Sequence, residues 1–240
     1  MAGLGIVRLT PVRQQAVSVS LATGAYGLSL GALAIAAGLD LWQTMALSLI
    51  VFSGGSQFAF VGVIGAGGAP LAGVVTSAFL GVRNGIYGLT LAPILRPMRG
   101  VKRAWAAQVT IDESTAVALA QPASDPDARR EGFWWTGVGV FIAWNVAVLA
   151  GTFIGSSIGD PSTWGLDAAA GAAFLGLVWP RLASRGARLV ALSAAVLALA
   201  LTPVMPAGIP ILSAALVAVA AGWREPSARD NPSPQGEMPA

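Results

Sequence analysis

Long apolar blocks separated by short polar connections dominate the chain. Residues 16–37 form the first block, enough as a helix to cross the roughly 30 Å hydrocarbon core of a bilayer. Residues 41–66 and 70–95 form the next two, and residues 133–158, 166–179, 189–202 and 209–223 the rest. The last three are short even for tilted spans. This pattern predicts an all-α, polytopic integral membrane protein with about six to seven hydrophobic segments. Around the transmembrane domain of residues 16–223 lie a polar cytoplasmic leader at 1–15 and a Pro-containing, disordered tail at 224–240. The longest polar segment, 96–132, carries a stretch at 105–120 able to form a helix. The charged leader and first block resemble a secretory signal, but the block exceeds a signal core and is expected to remain as a helix.

The second block is interrupted at its centre by Phe52-Ser53-Gly54-Gly55-Ser56-Gln57-Phe58. Gly is about 1 kcal/mol worse than Ala in a helix interior, and Ser competes for backbone hydrogen bonds. The expectation is a helical arm at 41–52, a Ser-Gly-Gly-Ser break, and a second arm at 57–66. In lipid such a break is tolerable only where protein or a water-filled cavity surrounds it, and broken helices build substrate and ion sites in transporters. Its structural alternative is a packing kink where small residues admit another helix.

Only 10% of residues are charged, against about 25% in soluble domains, and mean hydropathy is +0.70. With no Cys there is no disulfide framework or cysteine nucleophile, and with no His the usual zinc sites, Ser-His-Asp triads and histidine proton relays are excluded. No Walker-type phosphate loop is present. No cofactor or enzyme activity is expected. Seven of the eight Trp residues, all but Trp144, lie near segment ends, as an interfacial belt places them.

Lys and Arg cluster in the leader, at 96–132, at 181–188 and at 224–229, whereas the connections at 38–41, 66–69, 157–165 and 203–208 carry none. By the positive-inside rule the basic clusters and both termini are cytoplasmic. Three full crossings by the first three blocks would then put 96–132 on the wrong side. One block must enter and leave by the same face, and the broken 41–66 run is the natural re-entrant hairpin.

Order and spelling of the motifs resemble a known family. Ser48-Leu49-Ile50-Val51-Phe52-Ser53-Gly54-Gly55-Ser56-Gln57-Phe58 is followed by Gly81-Val82-Arg83-Asn84-Gly85-Ile86-Tyr87-Gly88 and then by Ile111-Asp112-Glu113-Ser114. This is similar to the AzlC-type family, the large subunits of two-component branched-chain amino acid exporters, over roughly residues 10–120. Many members have His after the arginine where this chain has Asn84-Gly85, so any proton-transfer role of that His is absent or relocated here. The resemblance implies export of Leu, Ile, Val or similar amino acids and a small AzlD-type membrane partner. Gly pairs at 27/31, 81/85 and 151/155 offer groove-like faces for close helix contact.

A substrate of that kind needs partners for a carboxylate, partners for an ammonium, and an apolar wall. The candidate substrate-binding residues are Ser53, Gly54, Gly55, Ser56, Gln57, Arg83, Asn84 and Tyr87, with Asn145 and Trp144 secondary. Backbone N–H groups of Gly55 to Gln57 suit a carboxylate, carbonyls of Val51 to Ser53 suit an ammonium or coupling cation, and Phe58 and Phe60 suit the wall. Arg83, 14th of the 26 residues in its block, costs about 2.5–3.5 kcal/mol at mid-membrane and needs compensation. That compensation is a substrate carboxylate or a permanent structural counter-ion. Asp112 and Glu113, the only adjacent acidic pair, are the candidates for counter-ion or for carrying a coupled proton or cation. Their alternative is a solvated face or a helix first turn. Other functions compatible with the sequence are a passive channel for small solutes and a non-transporting membrane scaffold.

Overall fold

The computed structural model describes residues 9–96, 98–158, 175, 178, 179, 182–206 and 208–224. The chain divides into two compact units, Met1–Leu177 and Val178–Ala240. In the first unit the helices are α1 (Pro11–Ala36), α2 (Leu41–Ile50), α3 (Gly54–Gly65), α4 (Pro70–Leu95), α5 (Gly100–Gln108), α6 (Asp112–Ala120) and α7 (Pro126–Ile158). In the second, α8 (Arg185–Leu201) packs against α9 (Ile209–Arg224). The block expected at 166–179 and the tail at 224–240 lie almost wholly outside the described residues. Among the described residues three helices, Pro11–Ala36, Pro70–Leu95 and Pro126–Ser157, are long and apolar enough to cross a membrane. The all-helical expectation holds for every described element.

Helix boundaries follow local chemistry. Thr10 caps α1 by accepting a hydrogen bond from the Arg13 N–H, and Pro11 opens its first turn, where no N–H is missed. Asp40 and Gln43 form a reciprocal capping box at the start of α2 (2.8 and 3.0 Å). Gly38 (φ +88°) and Gly67 (φ +74°) close α1 and α3 with the same left-handed turn, in which Leu39 and Gly68 donate back to Ala34 and Val63.

α1 and α7 form the spine. Their contacts advance together, from Val12 beside Gly132, through Gly24 beside Ala143 and Gly27 beside Ala147, to Ile35 beside Gly155, so the helices run parallel. The seam is close because glycine lines both sides: a methyl group on Gly31 would lie 2.2 Å from the Val148 carbonyl oxygen, and one on Gly151 would lie 2.2 Å from that of Leu28. The pairs 27/31 and 151/155 are thus spent on each other inside the chain, which corrects their reading as faces for a partner. Gly85 alone among the six positions keeps open space around it.

α2 and α3 form a hairpin. A methyl group on Gly65, at the end of α3, would touch the Ala37 side chain at 3.4 Å, so α3 returns to the end of α1 from which α2 set out. α4 then runs back along α3, with Gly73 against Phe60, and ends where α1 begins: Arg130 of α7 donates to the Ile94 carbonyl (3.1 Å). The stretch expected as one helix at 105–120 is instead two, α5 and α6, broken at 109–111. Ile111 is extended, and the Ser114 hydroxyl accepts from the Ile111 N–H (3.0 Å) while donating to the Val109 carbonyl (2.7 Å). α6 also returns to its starting end, where Gln121 donates to Gln15 of α1 (3.2 Å).

A repeat that is not visible in the residues emerges from these elements. Helices α1, α2 and α3 begin at Pro11, Leu41 and Gly54, and helices α4, α5 and α6 at Pro70, Gly100 and Asp112, offsets of 59, 59 and 58. Each half is one 26-residue helix, about 39 Å long, followed by a hairpin of two short helices. The long helices run in opposite directions, so the halves are inverted copies. Segment 96–132 is therefore not only a polar connection: Ala106, Val109, Ile111, Val117 and Ala118 are buried.

Two outcomes check this arrangement. Gly31→Ala should destabilise the protein by about 1–3 kcal/mol through overpacking of the α1–α7 seam, whereas Gly85→Ala should leave it unchanged, as read by thermal unfolding in detergent. Single cysteines replacing Asp40 and Gly68 should both react with an impermeant thiol reagent added to the same side of sealed vesicles. Labelling from opposite sides would exclude the hairpin.

Candidate functional site

The tips of the two hairpins meet halfway along α4. The first tip is a tight turn at Phe52, in which the Ser53 N–H donates to the Val51 carbonyl (2.7 Å). α2 has already stopped at Ile50, and α3 begins at Gly54 with Ser53 at its N-cap. The break expected at Ser53–Ser56 thus falls two residues earlier. Gly54, Gly55 and Ser56 form the first turn of α3. The reason for the glycines lies across the interface. A methyl group on Gly54 would stand 3.1 Å from the Trp144 ring, and one on Gly55 would stand 2.8 Å from an Arg83 guanidinium nitrogen.

Gln57 holds this tip together and is fully buried. Its amide donates to the carbonyls of Leu47, Ser48 and Val51 (3.3, 3.2 and 2.7 Å), and its own oxygen accepts from the Trp144 indole (2.9 Å). Gln108, from α5, donates to Leu49 and Ile50 (2.8 and 3.3 Å). Two amides thereby reach every carbonyl from Leu47 to Val51. The Ser53 carbonyl accepts from the Gln57 N–H. The carbonyls of Val51 and Ser53, expected to receive an ammonium, are already engaged within the protein, and so is the Gln57 N–H expected for a carboxylate. Gln57 is placed as the cap of α2, away from the cavity described next. Ser48 and Asn145 join the same layer, the hydroxyl donating to the Asn145 side-chain oxygen (2.8 Å).

Arg83 projects from the middle of α4 to the second tip. One guanidinium nitrogen lies 3.1 Å from a carboxylate oxygen of Asp112, the first residue of α6. Asp112 and Glu113 occupy the first turn of that helix, where its dipole favours negative charge. The pair is half satisfied: Arg83 Nε and Asp112 Oδ1 are buried without a hydrogen-bond partner, as are the hydroxyls of Ser53, Ser56 and Thr115. α3 makes its first intrahelical bond at Gln57 and α6 at Thr115, so the N–H groups of Gly54, Gly55 and Ser56 and of Asp112, Glu113 and Ser114 precede those bonds.

A cavity of about 70 Å³ lies over this junction. Ser53, Gly54, Gly55, Arg83, Asn84, Asp112 and Glu113 form its polar side, and Phe52, Phe58, Ile111, Val140 and Trp144 its apolar side. Of the sequence-derived candidates, Ser56 faces an adjoining groove, and Tyr87 lies a turn further along α4 outside the cavity lining. Thr23 and Tyr26 of α1 also line the cavity and carried no motif to announce them. Gln108 was equally silent in the sequence, whereas Trp144 had a signal: it is the one Trp displaced from the segment ends. Among the described residues no group of His, Cys, Asp and Glu able to hold a metal ion occurs.

A family model described as AzlC protein matches residues 18–158, more than half of the chain and nearly all of the paired repeats. The chain belongs to the AzlC family. It is an AzlC-family membrane protein, and the family is associated with membrane transport. No curated protein matches it, and no solved structure does. In this AzlC chain the Arg83 junction lies within the matched segment, as do both hairpin tips.

The capping role of Gln57 makes an expected outcome. Gln57→Leu keeps the size of the side chain but strips hydrogen bonds from buried carbonyls, at about 1–3 kcal/mol for each group left unsatisfied. The variant should lose most of its folded fraction on size exclusion. Trp144→Phe, which removes the indole donor and part of the ring, should cost about 1–3 kcal/mol.

Proposed function

We propose that this chain is the larger subunit of a secondary transporter that exports branched-chain or similarly small apolar amino acids across the cytoplasmic membrane, with both termini cytoplasmic. One observation carries the reading: a half-buried guanidinium beside the N-terminal turns of two half-helices, facing an apolar wall. The two turns each contribute roughly half a positive charge, and Arg83 a full one. Their field suits a carboxylate, which Arg83 can bind with two parallel hydrogen bonds and the N–H groups of Gly54 to Ser56 can complete. The Asp112–Glu113 side of the cavity suits an ammonium. Phe52, Phe58, Ile111 and Val140 suit an aliphatic side chain. The inverted repeat supports a carrier over a channel, because two opposed hairpins around a central site permit access from alternate sides.

A small partner subunit of the AzlD type completes this reading. α4 supports that expectation, since only a small part of its length is buried within the chain, and Leu71, Val82, Ile86 and Leu89 are exposed along it. Counterflow of radiolabelled leucine in vesicles from cells producing both subunits tests the proposal. Trans-stimulated uptake is expected, and flux indifferent to leucine on the far side would indicate a channel. Arg83→Lys keeps the charge but loses the planar fork. It should reduce counterflow more than tenfold, a loss of at least about 1.4 kcal/mol, at unchanged protein abundance. Loss of the protein itself would make Arg83 a structural counter-ion.

A further inference from the structure

We propose that Asp112 is an exchangeable counter-ion: the carboxylate of an incoming amino acid replaces Asp112 on the Arg83 guanidinium, and the displaced Asp112 takes up one proton. This deepens the transport reading above and rests on it.

The geometry that carries the inference is the incompleteness of the pair. An Arg–carboxylate pair built for permanence is bidentate and has its remaining polar atoms satisfied, because a buried and partly paired charge is costly. Here a single 3.1 Å contact joins the partners, and each retains a buried atom without a hydrogen bond, Nε on Arg83 and Oδ1 on Asp112. Arg83 also lies against Gly55, at the tip of the other hairpin, where only the lack of a side chain lets the guanidinium approach. It therefore touches both tips but is paired to one. The unpartnered Ser53 hydroxyl, on a residue 6% exposed, lines the same cavity. A ligand carboxylate seated there meets Ser53, the first N–H groups of α3 and the free edge of Arg83.

Once that carboxylate arrives, two carboxylates face one guanidinium in a site only partly open to water. Like charges so placed do not both remain ionised, and the pair holds one proton between them. The other titratable groups around Asp112 are few. α1 brings Tyr26 to the cavity, α4 brings Arg83 and carries Tyr87 one turn away, α6 itself carries Glu113, and α3 and α7 bring no titratable side chain to it. The charge balance is simple: one carboxylate enters, one proton enters with it, and the ammonium of the substrate remains the net charge gained. Release of the substrate re-forms the Arg83–Asp112 contact and returns the proton.

Leucine binding to the detergent-purified wild-type complex, followed with a pH-indicator dye in weak buffer beside calorimetry, tests this without requiring a variant to fold. Uptake of about one proton per leucine bound is expected. Binding without proton uptake overturns the exchange and leaves the transport reading intact, whereas absence of leucine binding and counterflow overturns both. In Asp112→Asn the internal competitor is gone. Where that variant accumulates, its apparent affinity for leucine should rise several-fold and proton uptake should vanish. Unchanged or weaker affinity in folded Asp112→Asn, or proton uptake equal to wild type, also overturns the proposal.

Discussion

Every backbone carbonyl at the end of a helix that stops inside an apolar medium must find a donor, and that requirement organises the first half of the structure. α2 stops at Ile50, after only ten residues, and leaves its last carbonyls to be met by donors from elsewhere. Water is the usual remedy at a helix end, and here two glutamines take its place. Gln57 reaches back from the first turn of α3, and Gln108 reaches across from the second hairpin. The first supply is local and fixes the bend of the hairpin. The second is remote and ties one repeat to the other, so the two tips are in register before any charge is considered.

That register explains where the charged residues lie. Arg83 follows the start of α4 by half a helix length, which brings it level with the tip of α3. Asp112 opens α6, which brings it level with the tip of the second hairpin. The inverted repeat superposes these two heights. A guanidinium at this depth is expensive in lipid, yet it is compensated by one carboxylate and by close contact with backbone made possible at Gly55. The apolar wall over the same point comes largely from residues near the tips and from Trp144, whose indole also steadies Gln57.

Much of this could be read from the residues, and what could not has identifiable causes. The long apolar blocks, the half-length arms around Phe52 and the cost of Arg83 all follow from hydropathy and spacing. The count of basic clusters required one hairpin, and the contact of Gly65 with Ala37 shows its closed shape. The second hairpin was hidden because α5 carries Lys102 and Arg103, so its polar composition suggested a loop. The break was misplaced because glycine in the sequence signals equally a bent backbone or a close neighbour, and at Gly54 and Gly55 the neighbour decided. Gln57 was read as a ligand-binding side chain since an amide serves a substrate and a stranded carbonyl equally well. Distance alone separates those roles. Glycine pairs likewise do not name their partner, and those on α1 and α7 proved to name each other.

The α1–α7 seam divides rigidity unevenly across the first unit. Two long helices in backbone-to-backbone contact over their shared length exchange side-chain freedom for many short-range attractions, and local opening there requires parting the whole interface. The hairpin tips combine apolar packing at Phe52, Phe58 and Ile111 with a handful of hydrogen bonds and a single ionic contact. The seam is therefore the part of this unit that is hardest to open. A fold with this distribution of compliance can rearrange its middle while its outline stays fixed, much as a hinge turns within an unbending frame.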